Sequence, residues 1–329
     1  MITLTETQKY LNGYTFIDLF CGIGGFHLAL SSLGAKCLFA SDINKEACDV
    51  YEKNFKIKPH GDITQINAEE IPKHDILCAG FPCQPFSISG NQKGFEDEHG
   101  RGKLFFDIVR IAKYHKPKIL LLENVKNFEK HDGGKTIKRV ISELEDIDYS
   151  VFYDVLCASD FGIPQQRNRI YIVAFRKDLK VESFQFPTPH KGFKTVQDVL
   201  IRKIDNQIIG SYYIDREYEI TKVATKKNKE LIRIGKIGKG RQGERIYSIK
   251  GQATTLSSQG GGLGGKTGMY LIRNKVRKLY PRECARLMGF PDDFLLADTQ
   301  EQNYKQFGNS VVVDVIQEIA LKIIKTVEV

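Results

Sequence analysis

Through the first half of the chain, short and continuously apolar runs are separated by amphipathic stretches, the pattern of buried strands joined by crossover helices. Tyr14 to Phe20, Cys37 to Ala40, Asp75 to Ala79 and Ile119 to Leu122 read as strands, and the last two are apolar enough to be covered on both faces. The spacing predicts helices at Phe26 to Leu33, Lys45 to Asn54, Leu104 to Lys113 and Thr136 to Leu144, with further strands at Val151 to Leu156 and Ile170 to Phe175. The fold class expected is α/β, a doubly wound and mostly parallel sheet. After Phe186-Pro-Thr-Pro189 the pattern breaks, and 11 of the 29 glycines fall between Gly235 and Gly268. That part reads as loops and short strands of a second, smaller domain. Val311 to Thr326 is again an amphipathic helix, able to return to the first domain.

Composition narrows the class. The chain has 329 residues, 41% hydrophobic and 27% charged, enough for two domains of roughly 100–200 residues each and unlike a disordered or fibrous chain. No run approaches the roughly 20 apolar residues of a membrane span. Met1 to Gly13 also lacks the apolar stretch of a signal peptide, so no membrane association and a cytoplasmic location are expected. The seven cysteines are scattered, without a CxxC pair, which predicts free thiols and no metal site.

Charge is distributed unevenly. Lys191 to Lys278 holds 20 Lys and Arg against 7 Asp and Glu, a local +13 in a chain of net +9, so the remainder carries −4. A solvated basic surface would account for this, as would a polyanionic partner such as nucleic acid.

Four segments carry candidate chemistry. In Phe16-Ile-Asp-Leu-Phe-Cys-Gly-Ile-Gly-Gly-Phe26 a buried strand runs through Gly22, Gly24 and Gly25 into a helix, which lets main chain approach a ligand at a helix N-terminus. Asp42 closes the next strand, 20 residues beyond Gly22, where a carboxylate can accept ribose hydroxyls. Position 27 is His, so the third glycine of a dinucleotide fingerprint is missing and an adenosine-type ligand fits better than a pyrophosphate. A plain tight turn is the alternative. Gly80-Phe-Pro-Cys-Gln-Pro-Phe-Ser87 follows a strand, so Cys83 falls at the carboxyl edge of the sheet, where α/β ligands bind. A thiol there can act as a nucleophile if its surroundings favour thiolate. The long polar stretch from Pro82 to Lys103 reads as a lid. Glu123 ends the run Ile119-Leu-Leu-Leu122 and puts a carboxylate at the same edge. In Gln165-Gln-Arg-Asn-Arg169, Arg167 and Arg169 stand two apart, so strand alternation predicts both on one face, suited to phosphate or carbonyl oxygens.

Taken in order, Phe-Cys-Gly-Ile-Gly-Gly at 20–25, Pro-Cys-Gln at 82–84, Glu-Asn-Val at 123–125, Gln-Arg-Asn-Arg at 166–169, Arg-Glu-Cys-Ala-Arg-Leu-Met-Gly-Phe-Pro at 282–291 and Gln-Phe-Gly-Asn-Ser-Val at 306–311 resemble the motifs of the DNA cytosine-C5 methyltransferases. The resemblance covers nearly the whole chain and is strongest to small bacterial restriction-modification enzymes that methylate the inner cytosine of GCGC. It implies the S-adenosylmethionine-dependent methyltransferase fold and catalysis by Cys83, Glu123, Arg167 and Arg169. Cys83 would add to cytosine C6, Glu123 would hydrogen-bond N3 and the exocyclic amine, and Arg169 would hold O2. Arg167 would support the site and a nearby phosphate. The target base would be flipped out of duplex DNA.

For S-adenosyl-L-methionine the resemblance implies Phe20 on the adenine, the main chain near Gly22 and Gly24 on the methionine part, and Asp42 on the ribose. Asp62 and Ile63 would meet the adenine, and Pro82, Leu104, Asn309 and Ser310 would complete the pocket. This chain has Asp42 and Ile43 where its nearest kin have Glu and Trp, so the ribose contact is one methylene shorter and apolar contact from Ile43 replaces stacking. Weaker cofactor binding is expected.

Recognition would fall to the basic segment. Gly240-Arg-Gln-Gly-Glu-Arg-Ile-Tyr-Ser248 is similar to a loop in which the counterpart of Gln242 fills the gap left by the flipped base and that of Arg245 reads guanine. In the second loop, Leu256-Ser-Ser-Gln-Gly-Gly-Gly262, Gln259 stands where the kin have Tyr. Ser87 joins Gln242, Arg245 and Gln259 as expected DNA contacts. The domains expected are a catalytic and cofactor-binding domain at 1–196 completed by 309–329, a target-recognition domain at 197–280, and a hinge at 281–308. The expected partner is double-stranded DNA, bound by a monomer, with a cognate restriction endonuclease acting on the same site. An RNA cytosine methyltransferase, a nicotinamide-dependent oxidoreductase and a catalytically silent DNA-binding module remain as rivals at this stage. The near copy of a DNA-reading loop, Pro82-Cys83-Gln84 and the set Cys83, Glu123 and Arg169 count against them in turn.

Overall fold

The computed structural model describes residues 10–82, 104–202 and 209–328. They form two compact units, one of residues 2–156, 168–187 and 315–329, the other of residues 157–167 and 188–314.

The first unit is built on a six-stranded sheet of order β2-β1-β3-β4-β6-β5, where β1 is Thr15–Leu19, β2 Lys36–Ser41, β3 Ile76–Gly80, β4 Ile119–Val125, β5 Tyr149–Cys157 and β6 Asn168–Arg176. Pairing is parallel from β2 through β4, and β6 runs antiparallel to β4. Helices α1 (Gly25–Ser32), α2 (Lys45–Phe55), α3 (Leu104–His115) and α4 (Lys135–Glu145) lie between the strands in sequence, as the periodicity predicts. Each apolar run is fully used: Ile76 to Ala79 and Ile119 to Leu122 are buried throughout, as strands covered on both faces must be. The C-terminal helix α7 (Val313–Val327) buries Ile316, Ile319, Ala320, Ile323 and Ile324, the stripe of a 3.6-residue period, and Gln317 bonds Ser32 at the end of α1. No helix among the described residues is long and apolar enough to cross a membrane.

Strand order reverses beside β1, which pairs with β2 on one side and β3 on the other. The carboxyl ends of β1 and β3 therefore open a crevice of the kind that receives ligands in doubly wound sheets. Phe20 to Gly24 leave one of these ends, and Phe81 and Pro82 leave the other. Cys83 and Ser87 follow immediately and lie outside the described residues.

Two boundaries differ from the sequence pattern. The apolar run predicts an end at Leu122, but β4 continues through Glu123 and Asn124 to Val125, because β6 extends the ladder with Glu123 opposite Tyr171 and Val125 opposite Arg169. Arg167 lies before β6 rather than on it, so strand alternation does not apply to it.

The second unit carries a five-stranded sheet, order β11-β10-β9-β8-β7, formed by β7 Glu219–Ile220, β8 Arg233–Lys236, β9 Arg245–Ser248, β10 Met269–Ile272 and β11 Lys275–Lys278. One apolar cluster at this sheet comprises Ile234, Ile237, Ile246, Met269 and Val276. Helices α5 (Pro281–Arg286) and α6 (Gln300–Asn309) follow. Arg277 and Glu283 make a buried two-pronged pair at 2.7 and 2.8 Å, and Glu283 also accepts the main-chain N–H groups of Ile201 and Tyr280. A charge pair so far from water is tolerable because its hydrogen bonds are made. The six described cysteines, Cys21, Cys37, Cys48, Cys78, Cys157 and Cys284, are free thiols.

His27, the residue that breaks the glycine fingerprint, is part of the core. Its ring stacks on Phe55 at 3.9 Å and lies 2.6 Å from the Tyr51 hydroxyl. Burial lowers its pKa to about 4. A histidine depressed from an unfolded value near 6.5 contributes stability that is present above pH 6.5 and lost as pH falls towards 4. The unfolding free energy of the wild type, measured relative to His27→Phe, is expected to fall by about 2 kcal/mol between pH 7 and pH 5. Parallel pH profiles for the two proteins would show that His27 is not kept neutral by the fold.

Candidate active site

The turn after β1 is held in an unusual conformation. Phe20, Gly22 and Gly24 all have positive φ, at 55°, 53° and 84°, a region that a phenylalanine enters only when its surroundings demand it. The Cys21 N–H bonds Ser41 O at 3.0 Å and the Gly24 N–H bonds Cys21 O at 2.8 Å, while Gly24 caps α1. Asp42, at the end of β2, ties the turn from the side: one carboxylate oxygen accepts the Gly22 N–H at 2.9 Å and the other accepts the Asn44 N–H at 2.8 Å. Burial raises the Asp42 pKa and these main-chain donors partly offset that. Asp18, fully buried in β1 just below, is pushed well above the carboxylate range by burial, with the His27 N–H working against the shift.

These residues fit an adenosine-bearing ligand. Among the described residues, chain neighbours apart, no atom lies within 4 Å of where a side chain on Gly22 would begin, so main chain is open to an approaching group. Each Asp42 oxygen takes only one of these two N–H groups and keeps lone pairs for hydroxyls. Ile43 beside it is 79% exposed, an apolar surface free to cover a ring. Asp62 accepts the Thr64 N–H at 3.0 Å and starts a 3-10 turn that buries Ile63, and Arg110 bonds the carbonyls of Ile63 and Ile66. Pro82 and Leu104 are half-buried in the same unit. Asn309 and Ser310 belong to the other unit, where Asn309 is exposed and ends α6 and Ser310 is buried.

Glu123 and Arg169 meet across neighbouring strands. Arg169 Nε stands 2.9 Å from Glu123 Oε1, with the two side chains only 15% and 10% exposed. Arg169 is opposite Val125 in the ladder, so it reaches Glu123 along the diagonal on the same face. Gly80, three residues before Cys83 in the sequence, is the register partner of Glu123 on the other side. A carboxylate acceptor beside a guanidinium donor complements a heterocycle edge bearing N–H groups and a carbonyl.

Sequence reasoning overlooked Asn124. It is 1% exposed, donates to Phe81 O at 3.3 Å and accepts the Val125 N–H at 2.8 Å. It fixes the main chain two residues before Cys83, and the signal was a polar residue inside an apolar run beside Glu123.

Arg167 does not share a face with Arg169. It is 2% exposed and donates to the carbonyls of Leu256, Gly308 and Ser310 at 3.0, 3.0 and 2.7 Å, all in the second unit. In the recognition segment, Gln242 is exposed at the start of a 3-10 turn, Arg245 is half-buried at the head of β9, and Gln259 is exposed. Lys222, Lys226, Lys239 and Arg241 are exposed, whereas Lys227 and Lys229, also exposed, pair with Asp198 and Asp160 at 2.7 Å. Among the described residues no group of three His, Cys, Asp or Glu could hold a metal ion.

The family model for "C-5 cytosine-specific DNA methylase" matches residues 14–325. The Type II methyltransferase M.HhaI of Haemophilus parahaemolyticus is 52% identical over 318 residues, 96% of each chain. The Type II methyltransferase M1.ScrFI of Lactococcus lactis subsp. cremoris is 42% identical over 319 residues, 96% of this chain and 79% of that one. Among solved structures, the Entamoeba histolytica methyltransferase EhMeth superposes with a TM-score of 0.74 at 21% identity, covering 95% of this chain and 98% of that chain, a likeness of fold.

Gly22 and Gly24 separate conformation from space. A methyl group on Gly24 would stand 2.2 Å from the Phe55 ring at positive φ, whereas one on Gly22 meets nothing within 4 Å among the described residues. Gly24→Ala is expected to cost about 2–4 kcal/mol and Gly22→Ala about 1 kcal/mol in denaturant unfolding. Equal losses would show that the Phe55 contact does not constrain the turn.

Proposed function

This chain belongs to the C-5 cytosine-specific DNA methylase family, and from that premise we propose that it methylates C5 of a cytosine flipped from duplex DNA, with the inner cytosine of GCGC as its target. The observation that carries the reading is the Glu123 and Arg169 pair, held by adjacent strands beside the segment that enters Cys83.

Cytosine C5 is a poor nucleophile, so the ring must first be activated. Cys83 serves as the nucleophile, and its thiolate adds to C6, leaving an enamine-like ring with electron density at C5. Glu123 accepts the exocyclic N–H and shares a proton with N3 as charge builds there, while Arg169 donates to O2. S-adenosyl-L-methionine, when bound, supplies the methyl group as an electrophile. Asp42 holds the ribose, the open main chain at Gly22 and Gly24 receives the methionine part, and Phe20, Ile43, Asp62 and Ile63 cover the adenine. Pro82, Leu104, Asn309 and Ser310 are assigned to the same pocket. Loss of the C5 proton and expulsion of the thiolate then free the product.

Recognition is assigned to residues 197–280, with the catalytic role given to 1–196 and 309–329 and a hinge at 281–308. Gln242 fills the vacated stack, Arg245 reads guanine, and Ser87 and Gln259 add contacts. The support for GCGC is the loop Gly240 to Ser248 together with the 52% identity to M.HhaI. Type II kinship implies a companion endonuclease of the same specificity.

Three outcomes test this reading. Incubated with S-adenosylmethionine and random-sequence duplex DNA, the protein should place 5-methylcytosine at the inner cytosine of GCGC, and Cys83→Ala should place none while still binding DNA and cofactor. Another motif would overturn the target, and transfer to tRNA instead of DNA would overturn the substrate class. Arg245→Ala should lose about 1–3 kcal/mol of discrimination at one guanine. DNA affinity should fall steeply with salt through the lysines of residues 191–278, and a salt-independent constant would contradict the charge assignment.

A further inference from the structure

The second recognition loop has an exposed tip at Gln259 but a stem with almost no freedom. Residues 253–256 lie along residues 164–167 as a short parallel track. Ala253 N–H donates to Pro164 O at 2.7 Å, Gln166 N–H to Ala253 O at 3.0 Å, and the Thr255 hydroxyl to Gln166 O at 2.5 Å. Both main-chain groups of Leu256 are then taken by buried side chains: its N–H donates to Gln165 Oε1 at 2.9 Å and its carbonyl accepts Arg167 Nη1 at 3.0 Å. Gln165 and Arg167 are 0% and 2% exposed.

The other ends of the same two side chains are anchored elsewhere in the unit. Gln165 Nε2 donates to Leu287 O at 2.7 Å, and Arg167 Nη2 donates to the carbonyls of Gly308 and Ser310. Gly308 closes the arrangement from the far side, since a methyl group there would stand 2.3 Å from the Ser258 nitrogen. The loop is thus pinned at residues 253–256 and pressed at Ser257 and Ser258 before Gln259 emerges.

The loop tip is also fixed to the first loop. Gly264 N–H donates to Gly243 O at 2.8 Å, and a methyl group on Gly243 would stand 2.3 Å from Gly261 O. Main chain meets main chain with no side chain between, so the spacing of Gln242 and Gln259 follows from glycine contacts rather than from glycine mobility.

We propose that Gln165, Arg167, Thr255 and Gly308 are positioning residues for target choice: they set the register in which the second loop presents Gln259 to DNA. This rests on reading residues 256–262 as a recognition loop. Arg167 on this view acts through the loop stem and touches neither the base nor a phosphate, because its guanidinium is turned inward onto three carbonyls. A loop displaced by one residue would offer Ser258 or Gly260 in place of Gln259, and the groove would be read differently while the Glu123 and Arg169 pair is unchanged.

The test maps methylation over a random-sequence duplex library for Gln165→Leu, Thr255→Val, Gly308→Ala and the wild type, together with single-turnover rates at the preferred site under saturating DNA. Thr255→Val is nearly isosteric at a half-buried position and keeps the test informative if Gln165→Leu does not fold. The preferred site should lose about tenfold in methylation relative to its single-mismatch neighbours, the order of one mismatched base pair, while the single-turnover rate at that site changes much less. A uniform loss at all sites with unchanged ratios would reduce these residues to structural support and overturn the proposal. Gln259→Ala distinguishes the two levels. If Gln259→Ala alters target choice and the stem variants do not, the positioning role fails; if Gln259→Ala leaves target choice unchanged, the recognition-loop reading itself fails.

Discussion

A guanidinium removed from water must have its donors met by acceptors, and the five N–H groups of Arg167 project in a rigid planar fork. Three carbonyls, from Leu256, Gly308 and Ser310, answer two of its nitrogens. Those stretches of chain can only take the positions the fork dictates, so one side chain aligns a loop stem, the end of a helix and the turn that follows it. Gln165 adds Leu287 to the same assembly. The apolar cluster at the second unit's sheet includes Ile234, Ile237, Ile246, Met269 and Val276, and hydrogen bonds of this kind add to it in fixing the unit's geometry. The buried Arg277 and Glu283 pair does the same at the start of α5.

The first unit reaches its geometry by another route. Continuous apolar strands, buried on both faces, fix a sheet whose order reverses beside β1. That reversal places the turn after β1 and the exit from β3 side by side at the carboxyl edge. Polar groups then trim the positions: Asp42 ties the Gly22 turn, Asn124 ties Phe81, and Arg169 pairs with Glu123. Each is a polar group near or inside an apolar element, and each finds a partner within its own unit, as desolvated polar groups must.

Glycine has two roles in this chain that composition alone does not distinguish. At Gly22 and Gly24 it supplies a left-handed turn. At Gly243 and Gly308 it supplies contact, because a side chain would strike neighbouring main chain. The glycine-rich stretch between Gly235 and Gly268, which reads from sequence as loops and short strands, therefore holds two loops against each other.

The sequence alone was sufficient for the alternation of strands and helices in the first half, the smaller β-rich second part, and the ordered motifs of the family, because periodicity and short motifs are properties of neighbouring residues. Only the tertiary structure decided that β4 runs on through Glu123, since the residues that extend its ladder lie on β6. Only it separated Arg167 from Arg169, which two-residue alternation had put on one face. The acceptors of Arg167 stand 89, 141 and 143 residues away along the chain, and no local pattern can announce a partner at that distance. The same reason hid the part played by Gln165, Asn124 and Gly308: what each residue does is set by the main chain it meets, and that meeting exists only once the chain has folded.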